Sequence, residues 1–247
     1  YLTEGRELTK AAKLENEVVA IREAVYGPNH REVATALHIL GNIEKGRRNY
    51  PAARRAYERA VAILDADRGT YDAGLSRGAL ATVIAATEGM TAAQPIFKRA
   101  LDDLSSGGKD KVQYLATEVD YAYHLLDTKQ CADATPLLDH AIELLPKLRP
   151  RQLPQVLEAS ASCDVEGRRY DLALTKLERA RSLCADVQCP TGVVPMIDFK
   201  LGRLLIERGT DRARGLKLVA GAKAATIAED DKELLSDIEH WETLRLR

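Results

Sequence analysis

Five histidines, four cysteines and a run of arginines are the residues of this 247-residue chain that could carry chemistry. A catalytic histidine needs an acid, base or nucleophile beside it. His30, His38, His124, His140 and His240 are scattered, and none has such a partner at a recognisable spacing. The chain has no G-x-S-x-G, no H-E-x-x-H, no G-x-x-x-x-G-K and no G-x-G-x-x-G after a strand pattern. The stretch "LSSGGKDK" at 104–111 has the glycines and lysine of a phosphate loop. It follows a helical pattern rather than a strand, so it reads as a linker. These residues point to no enzyme, with no catalytic residue, no cofactor and no metal site.

Cys131, Cys163, Cys184 and Cys189 are too few and too irregularly spaced for a disulfide framework. The segment "CADVQC" leaves two readings open: two ordinary thiols near a helix end, or a local disulfide that would imply an oxidising compartment. Its spacing does not suit a zinc knuckle, and no histidine lies near enough to complete a ligand set. The basic residues Lys45, Arg47, Arg48, Arg54, Arg55 and Arg59 could form a nucleic-acid patch. Glu44 and Glu58 dilute them and no stacking aromatic lies close by, so a solvated outer face is the better reading.

What positions these residues is helical. Hydrophobic residues make up 45% of the chain, charged residues 30% and aromatics only 5%. A bias to Ala, Leu, Arg and Glu suits helices and argues against a β-rich fold. With 36 basic and 37 acidic side chains the net charge is −1, so no global field draws the chain to nucleic acid or a membrane surface. No apolar run is long enough to span a bilayer and no signal-peptide-like start is visible, which implies no membrane insertion and a cytoplasmic location. The chain starts at Tyr1 inside a helical pattern, as a piece of a longer polypeptide would.

A period of about forty residues runs through the chain. Alanine pairs seven apart recur in "AARRAYERA" (Ala53, Ala60), "AQPIFKRA" (Ala93, Ala100), "ATPLLDHA" (Ala134, Ala141), "ALTKLERA" (Ala173, Ala180) and "ARGLKLVA" (Ala213, Ala220). Four residues after the first alanine stand Tyr57, Phe97, Leu138 and Leu177, with Lys217 breaking the pattern. Three before it stand Tyr50, Met90, Cys131 and Tyr170. Twelve before it stand Gly41, Ala81, Ala122 and Ala161, with Gly202 one step out of register. Each unit therefore reads as helix, short turn, helix, with small residues where two helices touch. Tyr114 and Tyr121, seven apart, belong to the core.

This pattern resembles the tetratricopeptide repeat, on Leu37, Leu40, Gly41, Tyr50, Ala53, Tyr57 and Ala60 in the first unit and on Pro146 closing the third. The stretch "AIREAVYGPNHREVATALHILGNI" is most similar to the longer repeats of kinesin light chain, and His30 matches their turn histidine. The resemblance implies an all-α fold: an α-solenoid of antiparallel helix pairs, a TPR-like superhelix, spanning 1–247 as one domain. Helix pairs are expected at 31–65, 71–105, 111–146, 152–185 and 193–224. Residues 7–25 would be the second helix of a truncated repeat and 229–246 a C-terminal capping helix.

The resemblance also implies a function. In such proteins the first helix of each pair lines a concave groove that commonly binds extended peptides. The positions facing it would be Thr35, His38, Asn42 and Lys45, then Tyr123, Gln155 and Arg203, with Thr82, Val119, Glu158, Ser162 and Phe199 along the same wall. The chain thus reads as a non-catalytic scaffold for a protein or peptide partner. A reading of another class makes it the regulatory or sensor region of a larger enzyme, such as a bacterial serine/threonine protein kinase. Nucleic-acid binding is a third reading, resting only on the arginines.

Overall fold

The computed structural model describes residues 2–67, 70–109, 111–186 and 188–245, with side chains from Glu7 onward. Among them every regular element is helical. The chain divides into two compact units, 1–129 and 130–247.

The first unit holds α1 (Leu2–Tyr26), α2 (Arg31–Gly46), α3 (Tyr50–Ala66), α4 (Thr70–Glu88), α5 (Met90–Ser105) and α6 (Val112–Asp127). Each helix packs on the next in sequence. Helix α2 starts at His30, whose Nδ1 accepts from the Glu32 N–H at 3.2 Å while its ring stacks on Tyr26. That is the capping role a turn histidine can play.

The repeated alanines sit where the period places them. Ala53, Ala60, Ala93 and Ala100 are fully buried, as are Tyr57 and Phe97 between them. Gly41 lets α2 and α3 close up: a Cβ there would lie 2.5 Å from the Tyr57 ring. Phe97 stacks on Tyr121 with centroids 4.9 Å apart, and both Tyr114 and Tyr121 are buried in the core.

The second unit holds α7 (Cys131–Leu148), α8 (Leu153–Glu166), α9 (Tyr170–Asp186), α10 (Val193–Arg208), α11 (Arg212–Ala228) and α12 (Lys232–Arg245), with a 3₁₀ turn at Pro150–Gln152. Pro146 does not close α7, which continues to Leu148. Ala134, Ala141, Ala173 and Ala180 are fully buried.

The last pair departs from the expected register. Ala213 and Ala220 are exposed. Gly215 and Ala222 are buried in their place, with Val219 buried where Lys217 was expected to intrude. Moving the frame by two residues restores small, apolar and small at the seam. Gly202 faces Gly215 so closely that a Cβ on Gly202 would meet the Gly215 carbonyl oxygen at 2.7 Å. Helix α12 caps the unit through Leu234, Ile238 and Trp241, all buried.

Turns within three of the pairs share one closure. The chain leaves α2, α8 and α10 through a left-handed residue, Arg48 (φ 59°), Arg168 (φ 58°) or Gly209 (φ 67°). The next N–H then bonds back five residues, as in Asn49 to Glu44 at 2.9 Å and Arg169 to Asp164 at 2.7 Å. This satisfies carbonyls that a helix end leaves open.

The cysteines correct the sequence expectation. Cys131 bonds Cys163 and Cys184 bonds Cys189, each with Cα atoms 5.3 Å apart, so all four are paired. Cys131 stands at the repeat position of Tyr50, Met90 and Tyr170, of which Met90 is buried and Tyr170 carries the Arg208 guanidinium 4.5 Å over its ring. The Cys131 bond thus replaces a packing contact between α7 and α8, a substitution that spacing alone could not reveal. The Cys184 bond ties the last turn of α9 to the loop before α10.

Candidate functional site

In the first unit the expected wall residues lie on α2 and α6. Thr35 is exposed, and its Oγ1 donates to the Arg31 carbonyl of its own helix at 3.2 Å. His38 is half-buried, with Nδ1 3.1 Å from Ser76 Oγ on α4 and its ring tilted against Tyr57. Burial pushes the His38 pKa below its usual value, nearby Lys45 adds to the fall, and Asp72 opposes it. The imidazole is therefore neutral near pH 7.

Asn42 is exposed, and its Oδ1 accepts the Tyr57 O–H at 2.8 Å. With the amide oxygen on the Tyr57 hydroxyl, the Nδ2 donors have no partner among the described residues. Burial raises the Tyr57 pKa, so the phenol stays a donor. Lys45 is half-buried one turn on, and Tyr123 is half-buried on α6. Val119 is not on this wall but buried in the core.

Sequence reasoning missed an ion cluster around the buried Asp103 in the same unit. Arg77 on α4 pairs with Asp65 and with Asp103, and Arg99 reaches Asp103 at 3.2 Å. Nothing in the repeat pattern marks these residues, because three helices contribute them.

In the second unit α8, α10 and α12 bring a polar network together. Lys200 Nζ donates to Ser162 Oγ at 2.9 Å and to Glu158. Glu207 Oε1 accepts from Trp241 Nε1 at 2.9 Å, Arg203 Nε at 3.0 Å and Arg245 Nη2 at 3.0 Å. Burial alone would raise the Glu207 pKa; the Trp241 N–H and the arginines outweigh it and hold the carboxyl below its usual range. Gln155 is half-buried on α8, and Arg203 is exposed. Phe199, expected on the wall, is buried and packs edge-on to Trp241 at 6.0 Å. Helix α12 covers it, and spacing within α10 does not report that neighbour.

Beside the network lies a cleft of about 160 Å³, lined by Ala161, Val165, Leu177 and Leu204 together with the polar Ser162, Lys200, Arg203 and Glu207. A second recess, between α7, α8 and α9, has the Cys131–Cys163 bond and Asp164 in its lining. Asp164 is buried and ion-paired to Arg169 and Lys176, both at 2.7–2.8 Å. Among the described residues no group of three or more His, Cys, Asp or Glu side chains could hold a metal ion. No described helix is long and apolar enough to cross a membrane. Three of the arginines considered for nucleic acid are engaged with acids: Arg47 with Glu44, Arg54 with Glu58 and Glu88, and Arg59 with Glu23.

Residues 2–66 match the tetratricopeptide repeat family model. No curated protein matches the chain. Among solved structures, BtubC (BKLC) from P. vanneervenii superposes with TM-score 0.75 at 15% identity, over 91% of each chain. A putative kinesin light chain from Podosopora anserina, with nearly identical TPR-like repeats, gives 0.66 at 16%, covering 83% of this chain and 99% of that one. YrrB, described as a TPR protein with an unusual peptide-binding site, gives 0.58 at 16%, over 84% and 92%. At such identities the likeness is one of fold.

Proposed function

We propose that this tetratricopeptide-repeat protein is a non-catalytic scaffold that holds an extended segment of a partner protein against the first helices of its pairs. Thr35, His38, Asn42, Lys45 and Tyr123 would make the contacts in the first unit, Gln155 and Arg203 in the second. The observation that carries this reading is Asn42. Its carbonyl oxygen is occupied by the Tyr57 hydroxyl, so its two N–H donors stand ready on an exposed face. A preoriented amide can bond a peptide carbonyl with little ordering cost. The likeness in fold to YrrB, with its peptide-binding site, is consistent with such use.

The two bonded cysteine pairs favour an oxidising compartment over the cytoplasmic location expected from the sequence. Intact mass before and after reduction and alkylation checks that: four alkylations without reductant would count against it.

The scaffold reading is tested by selecting extended peptides from a randomised display library on the full chain. Asn42→Ala combined with Tyr123→Ala should weaken the selected peptides while leaving helicity unchanged; melting should fall modestly, because the Tyr57 hydroxyl loses its acceptor. Undiminished affinity in the double variant would sink the assignment of these residues.

A further inference from the structure

We propose that the outer face of α1 joins two copies of this chain as a parallel pair, α1 against α1, about a two-fold axis. This surface lies on a second helix, away from the wall of first helices, and is independent of the peptide reading.

The side chains on that face set the kind of contact. Leu14, Ile21 and Val25 are 61%, 62% and 66% exposed. With Ala11 and the half-buried Val18 they recur at alternating spacings of three and four residues. That is the a/d spacing of a helix that pairs with another helix.

The repeat itself marks the stripe as unusual. Ala12 and Val19 of α1, both buried, correspond to Ala53 and Ala60 of α3. In that register Val18 corresponds to Arg59, Arg99, His140 and Arg179. Ile21 corresponds to Ala62, Asp102, Glu143 and Ser182. Helices α3, α5, α7 and α9 thus put polar or small residues where α1 puts branched apolar ones, the mark of an interaction surface. Another repeat stacked on α1 would not cover them. Helix α3 packs on both α2 and α4, yet Arg55, Ala62 and Ala66, at the places of Leu14, Ile21 and Val25, stay exposed.

Charge selects the occupant and its direction. With Ala11, Val18 and Val25 at a and Leu14 and Ile21 at d, the g positions hold Lys10 and Glu17. The e positions hold Glu15 and Arg22. In a parallel pair each g residue meets the following e residue of the other copy. Lys10 then meets Glu15 and Glu17 meets Arg22, and the two-fold axis repeats both attractive contacts. An antiparallel pair with its apolar layers aligned would turn about residue 16 and bring Glu15 to Glu15 and Glu17 to Glu17. Valine at a with leucine at d also favours two strands.

The flanking cations are available. Lys10 is paired to Glu7 at 3.4 Å, a contact at the open surface that holds it weakly. Arg22 is fixed on α2 through Nη1, which donates to the Glu32 carbonyl at 2.6 Å, so it stands oriented beside the stripe. About four turns of helix make an interface below the standard size, so the pair forms in a concentration-dependent way.

Sedimentation velocity of the full chain over a range of concentrations tests this, with a monomer–dimer equilibrium as the expected result. Ile21→Glu should weaken the dimer about a hundredfold or more, while helicity and melting of the dilute monomer stay unchanged. Lys10→Glu should weaken it about tenfold, because symmetry counts the mismatch twice. Adding Glu15→Lys should restore the Lys10→Glu dimer, and adding Glu17→Lys should not. Rescue by Glu17→Lys instead would overturn the parallel arrangement. A chain still monomeric at about 1 mM, or a dimer indifferent to Ile21→Glu, overturns the proposal and leaves the stripe to a different partner.

Discussion

Glu44 and Asp164 occupy the same place in two repeats, three residues after the small residue of the first helix, Gly41 in one unit and Ala161 in the other. Both are buried, yet they are held differently. Glu44 accepts from Arg47 and Asn49, which lie in and just after the turn that follows its own helix. Asp164 pairs with Arg169 at the turn and also with Lys176 on the next helix. The contrast extends to the units as a whole. The first has no cysteine, and the second carries two disulfides. The helix-pair frame therefore tolerates different means of fastening, provided each seam keeps its small residues and these two buried acids keep a cation.

Arginine substitutions at the seam should give the largest effects. Ala93→Arg in the first unit and Ala173→Arg in the second each force a charge into a fully buried contact and should cost about 4 kcal/mol or more. Ala213→Arg, at the position the repeat spacing treats as equivalent, should cost no more than about 0.5 kcal/mol, because Ala213 is exposed. Urea melts of the three variants decide the register, and a low-melting Ala213→Arg would restore the spacing-based frame.

Removing the covalent fastening comes next. Cys131→Ser with Cys163→Ser opens a loop closed across 32 residues and should destabilise by about 3–4 kcal/mol on chain entropy. Hydrogen exchange should show the lost protection concentrated in 130–245. Equal loss in both units would erase the distinction between them.

Glycine substitutions sharpen the packing contrast. Gly41→Ala sets a Cβ 2.5 Å from the Tyr57 ring and should cost about 1–3 kcal/mol. Gly221→Ala, with nothing within 4 Å of its Cβ, should stabilise α11 by about 0.5–1 kcal/mol. Thermal melts of the pair read both signs.

The smallest effect is one of pH. The folded-state pKa of His38 is lowered by burial and by Lys45, so the unfolded chain takes up the proton first on acidification. Its contribution to stability is present above the unfolded value of about 6.5 and is lost as pH falls through the lowered folded value. His38→Gln should flatten that part of the stability–pH profile of the first unit. An unchanged profile would show that the ring is not desolvated.

The fold was legible because a solenoid repeats one contact. Alanines seven apart, an apolar residue between them and a small residue twelve before define each seam, and four of the five alanine pairs are buried at that spacing. The register failed only at α11, where a small residue was available at both frames. Burial chose Gly215 and Ala222, because the frame through Ala213 would have packed Lys217 into the seam.

The candidate site was legible only as a set of positions on first helices. Whether a position is wall or core depends on helices far away in sequence. Phe199 is core because Trp241 covers it, and Arg203 has donors to spare because Trp241 and Arg245 share the hold on Glu207.

Local periodicity thus determined the helices, the pairing and most of the seams, since each follows from contacts a few residues to one turn-and-helix apart. Tertiary structure alone decided the cysteine pairing, the buried ion clusters and which wall residues keep free hydrogen-bonding capacity. Those depend on which side chains from separate helices and loops meet, and a one-dimensional spacing does not encode that meeting.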